Sequence, residues 1–137
     1  MGKCWISDFL INMIDDMIDI ESKILEKGTE LFFNKGEFLF KQEQDADYVF
    51  FLKDGEVELQ KDTGIVFNIS RQRCFLGLEE MILENKHEQT AVVKDTSILL
   101  VFDRLLIAGL ISQNEKARRY FIQKMCDQFH VFQREFE

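Results

Sequence analysis

Between Gly36 and Phe102 the chain is cut into short apolar runs by turn residues, and no other feature restricts the fold as strongly. Phe38-Leu39-Phe40 is one run, and Tyr48 to Leu52 is a second, long enough for a buried strand. After Asp54-Gly55, Val57 and Leu59 alternate with Glu56, Glu58 and Gln60, the period of a strand with one face buried. Asp62-Thr63-Gly64 reads as a hairpin turn into Ile65-Val66-Phe67. Cys74-Phe75-Leu76 runs into Gly77, and Gln89 to Val93 and Ile98 to Phe102 are two further strands joined by Asp95-Thr96-Ser97. About seven strands at this spacing predict an antiparallel barrel, roll or sandwich.

Helical periodicity flanks this region. Leu10, Met13, Met17, Ile20 and Ile24 recur at three- and four-residue steps, with Ile11, Ile14, Ile18 and Leu25 widening the stripe and Asp15, Asp16, Asp19 and Lys23 opposite. The spacing predicts an amphipathic helix over 8–27 that covers a sheet or docks on a partner helix, and that stops at Gly28. At the other end Asp103 caps a short helix through Ile111, and Ser112 to Glu115 has the S-x-x-E form of a capping box. A long helix follows to 136. Its stripe of Ala117, Phe121, Met125, Phe129 and Phe132 predicts a homodimer interface, because paired identical helices bury a projecting stripe with the fewest new contacts.

Composition narrows the function. A chain of 137 residues, 46% apolar and with 14 Phe, buries one core, so one domain over 1–137 is expected: helix 8–27, strands 36–102 and helices 103–136. The net charge of −8 excludes a surface built to neutralise nucleic-acid phosphates. The acid is concentrated in residues 36–113, with eight basic against fourteen acidic side chains, whereas 114–137 hold five against four. No secretory signal or run of about 20 apolar residues is present, so no membrane contact is expected. Cys4, Cys74 and Cys126 are odd in number and lack CxxC spacing, which fits a reducing cytoplasm and neither a disulfide framework nor a zinc site. Cys74 reads as a small core hydrophobe, His87 as a surface residue of a polar loop, and Arg71 and Arg73 as solvated counter-charges. Asp15-Asp16 and Glu79-Glu80 are adjacent in helices and point apart, and no nucleophile, metal or phosphate-loop motif occurs. No enzyme, catalytic residue, metal or cofactor is expected.

The stretch KGEFLFKQEQDADYVFFLKDGEVEL, Lys35 to Leu59, resembles the opening of the cyclic nucleotide-binding domain of bacterial regulators of the Crp/Fnr type. Gly36-Glu37, Asp45-Ala46-Asp47, Tyr48 to Leu52 and Asp54-Gly55-Glu56-Val57 carry the likeness, which extends over about residues 8–136. It implies a mainly β fold: an antiparallel β-roll, or cupin-like jelly roll, with an N-terminal helix, a short cassette helix and a long C-terminal helix. It also implies that 77–91 is the phosphate-binding cassette. In that family a glutamate directly after the glycine takes the ribose, the helix amides face the cyclic phosphate, and an arginine before a Thr/Ser-Ala pair neutralises it. Here Gly77, Thr90 and Ala91 match, but Leu78 and Gln89 replace the glutamate and the arginine. Glu79, Glu80, Glu84 and Glu88 against Lys86 make the local charge adverse to an anion. A shifted alignment lets Glu79 serve the ribose and Arg71, Arg73 or Lys86 the phosphate.

Two functions follow from the likeness. The first is a regulatory, sensor-type module with a degenerate cassette (Gly77, Leu78, Glu79, Glu80, Gln89, Thr90, Ala91), acting through dimerisation, a protein partner or an atypical small molecule. The second is a true cAMP or cGMP receptor signalling through its last helix. A DNA-reading domain follows that helix in regulators of this type, and the chain ends at Glu137, so a sensor half without its output is expected.

Overall fold

The computed structural model describes residues 18–70 and 73–136, with side chains for all of these except 67–70 and 129–136. Helical residues 18–25 (α1) precede β1 (Thr29–Phe33), β2 (Phe38–Phe40), β3 (Tyr48–Gln60), β4 (Val66–Ser70), β5 (Phe75–Leu76), α2 (Leu78–Ile82), β6 (Thr90–Asp103), α3 (Arg104–Gln113) and α4 (Glu115–Phe136). The strands form one antiparallel six-stranded sheet in the order β1-β6-β3-β4, with β2 also on β6 and β5 also on β3. This is the expected roll with flanking helices, and the hairpin at 62–64 is in place, closed by Lys61 N donating to Ile65 O at 3.0 Å.

Two expected strand pairs are each one long strand. Tyr48 to Leu52 and Val57 to Leu59 join as β3, and the runs on either side of Asp95-Thr96-Ser97 join as β6. The two apparent turns lie opposite each other, Asp54 beside Ile98 and Glu56 beside Asp95, and are absorbed as register shifts in a continuous ladder. Ser97 Oγ accepts from Glu56 N at 3.1 Å and donates to Asp95 O at 2.7 Å, which satisfies the backbone that the bulge disrupts. Strand β1 has no counterpart in the sequence reading; Leu31 and Phe32 on it are 43% and 69% exposed, so no buried alternation marks it.

The pleat divides the core in two. One face of the sheet, with Val49, Phe51, Leu100 and Phe102, meets Ile20 and Ile24 of α1, Leu78 and Met81 of α2, and Ile107, Ala117, Tyr120 and Phe121 of the last two helices. The other face, with Phe50, Leu52, Val57, Leu59, Leu76 and Leu99, closes on Phe40 and Ala91 inside the roll. Ile20 and Ile24 therefore bury as the stripe predicts, but Ile18 is 63% exposed, and the part of the predicted helix before it lies outside the described residues.

Of the expectations for the C-terminal helices, one holds and two change. Asp103 does cap α3, its Oδ1 accepting from Leu106 N at 2.8 Å. The cap of α4 is Asn114, not Ser112: Asn114 Oδ1 accepts from Ala117 N at 3.0 Å, while Ser112 Oγ donates back to Gly109 O at 3.3 Å because α3 runs on through Gln113. Ala117 and Phe121, assigned to a dimer interface, are fully buried in the chain's own core, and Met125 packs half-buried against it. Ala117 and Phe121 turn inward because the helix-side face of the sheet needs a cover, and α4 supplies part of it. The side chains of Phe129 and Phe132 lie outside those described.

Candidate functional site

Gly77 opens the cassette in the left-handed region, φ 84°, directly after β5. A Cβ there would come within 2.9 Å of the His87 ring at Cε1, so the glycine is needed for both its backbone angle and its lack of a side chain. The helix it opens, α2, spans only five residues, too few to build much of a macrodipole.

His87 is the residue the sequence misplaces. It is 2% exposed, not on the surface, and its ring stacks on Phe40 with centroids 3.8 Å apart and planes 12° from parallel. The loop that carries it is pinned to the loop after β2: His87 N donates to Gln44 O and Glu43 N donates to His87 O, both at 2.9 Å, with an antiparallel bridge between Asp45 and Lys86. That pairing spans more than forty residues of sequence, so a polar loop with one histidine gives no local sign of it. Only the Gly77 gap and the facing aromatic at Phe40 could have pointed to it.

Behind the imidazole stands Glu80, 9% exposed, with Oε1 3.7 Å from His87 Nδ1 and within 3.4 Å of the Glu88 amide that donates to it. Burial pushes the Glu80 carboxyl up, but the His87 imidazole and the surrounding amides outweigh it and hold the group below the ordinary carboxylate range. Glu79, half-buried, moves the other way: burial and then the charges of Glu80 and Glu88 raise it. His87 Nδ1 finds no hydrogen-bond partner among the described residues.

The other cassette positions scatter. Leu78 and Met81 pack into the helix-side core, so neither fills the roll interior. Gln89 is half-buried; Thr90 Oγ1 accepts from Gln42 N at 2.9 Å; Ala91 is buried opposite Leu59 and Phe40. Gly77, Glu80 and His87 thus come together, whereas Leu78 faces away. Of the candidate cations, Arg73 is 3.3 Å from Glu21 and lies over the Phe51 ring, Arg71 is outside the described residues, and Lys86 is exposed. Cys74 is buried as expected, its thiol pushed up to about 12 by burial, which leaves it unreactive as a nucleophile.

Beside His87 lies a cavity of about 470 Å³, lined by Leu39, Phe40, Glu43, Gln44, Asp45, Asp47, Tyr48, Phe50, Lys86 and His87. No three His, Cys, Asp or Glu side chains among the described residues are grouped to hold a metal ion, and no described helix is long and apolar enough to cross a membrane.

The strands, the cassette helix and α3 match a known domain model, the cyclic nucleotide-binding domain, over residues 30–114. The chain belongs to that family. Solved cyclic nucleotide-binding folds superpose on it. A putative cyclic nucleotide-binding protein from Geobacter metallireducens has a TM-score of 0.66 at 16% identity, covering 77% of this chain and 79% of its own. The catabolite activator protein of Thermus thermophilus gives 0.67 at 15%, covering 88% and 57%. A c-di-GMP responsive global regulator from Xanthomonas campestris gives 0.65 at 13%, covering 80% and 57%. The cyclic nucleotide-binding domain described here therefore spans little more than half the length of those two regulators, and at such identities the likeness is one of fold. No curated protein matches the sequence.

Proposed function

We propose that this is a non-enzymatic regulatory domain that keeps the cyclic nucleotide-binding roll without its anion cassette, and acts through protein contacts, dimerisation included, or an atypical ligand. One observation carries the reading: the His87 ring, stacked on Phe40 and lying against Gly77, occupies the space over the glycine that opens the cassette. A cyclic phosphate entering there must displace a stacked pair worth about 0.5–1.5 kcal/mol. It would then face uncharged Gln89 and the buried carboxylate of Glu80, and a charge buried without a partner costs several kcal/mol. Arg73, already paired with Glu21, does not offset this.

The test is a calorimetric and thermal-shift titration of the full chain with cAMP, cGMP and cyclic di-GMP. No heat and no shift at millimolar ligand is the expected result. A saturable response, worth about 2.7 kcal/mol of added stability at a hundred times the dissociation constant, would overturn the reading in favour of a true receptor.

A further inference from the structure

We propose that the free edge of β1 is a dimer interface, at which a second copy of this chain adds its own β1 antiparallel to the first. Among the described residues β1 pairs with β6 alone, and four of its five residues are exposed, so its outer edge meets solvent with backbone amides and carbonyls. Such an edge is complementary to one kind of partner, an extended strand. It also lacks the devices that ordinarily block strand addition. Thr29-Glu30-Leu31-Phe32-Phe33 contains no lysine and no proline, and its pairing with β6 runs without the register shifts seen where β2 and β3 meet that strand.

The occupant follows from the strand's own residues. Leu31, opposite Leu99, and Phe33, whose ring centroid is 6.3 Å from that of Phe50, lie on the roll-interior face of the sheet. Glu30, opposite Leu100, and Phe32 lie on the helix-side face. Leu31 and Phe32 are both exposed, so the edge carries apolar surface on each face. A two-fold axis through Phe32 sets that ring opposite its own copy and Leu31 opposite Phe33 of the second copy, which buries the surface on both faces at once. The strand's single charge, Glu30, then stands opposite Asn34 and not another carboxylate, and it is already paired with Lys53 Nζ at 2.6 Å. A foreign strand has to match this pattern, whereas a second copy matches it by symmetry. Ala117 and Phe121, buried in the chain's own core, offer a second copy no such surface.

The inference rests on the reading of this domain as one that acts through protein contacts, and it names the surface. Cyclic-nucleotide titration decides that reading and strand pairing decides this one, so the two fail separately. Sedimentation equilibrium of the full chain at micromolar concentration is expected to give a dimer. Phe32 is 69% exposed and belongs to neither core, so its substitution leaves the fold intact. Phe32→Lys and Phe32→Glu each put like charges on the axis, and each is expected to raise the dissociation constant about a hundredfold. Mixed in equal amounts, the two variants are expected to recover the dimer as a hybrid, because the opposite charges then face each other. Hydrogen exchange at the β1 amides of the unaltered protein should slow as the dimer forms. A monomeric unaltered protein, a dimer that survives both substitutions, or a mixture that associates no better than either variant alone would each overturn the proposal. A dimer lost in Ile122→Lys and kept in both Phe32 variants would do the same, by placing the contact on α4.

Discussion

Alanine at position 55 would place its Cβ 2.1 Å from Ser97 Oγ and 2.7 Å from Ser97 Cα, at a φ of 120° that side chains rarely adopt. The backbone atom cannot swing aside as a side chain can, so Gly55→Ala is expected to lose about 3 kcal/mol or more in urea denaturation. The paired glutamates of the cassette helix make a prediction of opposite signs. Glu79 has its carboxyl raised by burial, Glu80 and Glu88, so what it adds to folding is complete below the unfolded value and is lost as pH rises through the folded one. Glu79→Gln should therefore stabilise at pH 7, by about 0.5 kcal/mol given solvent screening, and the gain should fade in acid. Glu80, whose carboxyl is depressed in spite of burial, contributes above the unfolded value and loses that contribution as pH falls through the folded one. Glu80→Gln should cost about 1–2 kcal/mol at pH 7. Denaturation midpoints at pH 7 and in the acid range read both signs in one series.

Helix α4 is held to the sheet by a residue that periodicity does not reveal. Gln128 accepts from Phe75 N and donates to Phe75 O, both at 2.7 Å, closing the free edge of the two-residue strand β5. Tyr120 donates to Glu21, which ties α1 to the same helix, and Lys124 stands 3.5 Å from that carboxylate. Because β5 leads directly into Gly77, the last helix and the cassette share an anchor. Gln128→Ala leaves both backbone groups of a fully buried residue unpaired and is expected to cost about 1–3 kcal/mol. Hydrogen exchange at the Phe75 amide should rise in step. At the other end of α4, Asn114→Ala should cost about 1 kcal/mol and Ser112→Ala less than about 0.5 kcal/mol, which distinguishes the observed cap from the S-x-x-E pattern.

At the scale of the whole molecule, the helix-side core and the roll interior share a sheet but not their side chains. Phe121 belongs to the first, touching the rings of Phe75 and Tyr120 at 5.8 and 5.6 Å. Phe121→Ala should lose about 3–5 kcal/mol of stability, as expected for a large core deletion. Light scattering at micromolar concentration is expected to find a dimer, and the same dimer in this variant, since Phe121 offers no surface to a second chain. A variant that becomes monomeric while keeping its stability would return the residue to the interface. If α4 meets a second chain, it does so by its solvent side, where Ile122 is 49% exposed.

Turn chemistry and local alternation are properties of neighbours in the chain, and they were enough for the hairpin at 62–64, the burial of Val49 to Leu52, the Asp103 cap and an antiparallel β architecture, with the roll chosen among barrel, roll and sandwich by the family resemblance. That Leu78 and Gln89 stand where the family resemblance expects a glutamate and an arginine was equally legible, because it is a matter of residue identity. What lay beyond the sequence depends on partners far along it. The continuity of β3 and β6 is settled by Ser97 meeting Glu56, the burial of His87 by Gln44 and Phe40, and the inward turn of Ala117 and Phe121 by a sheet face that α1, α2 and α3 cover only together with α4. An apolar stripe has the same period whether it meets its own core or another molecule, and a histidine in a polar loop looks the same exposed or buried. Tertiary structure chose in each case, because only there do burial and hydrogen-bond satisfaction acquire a direction.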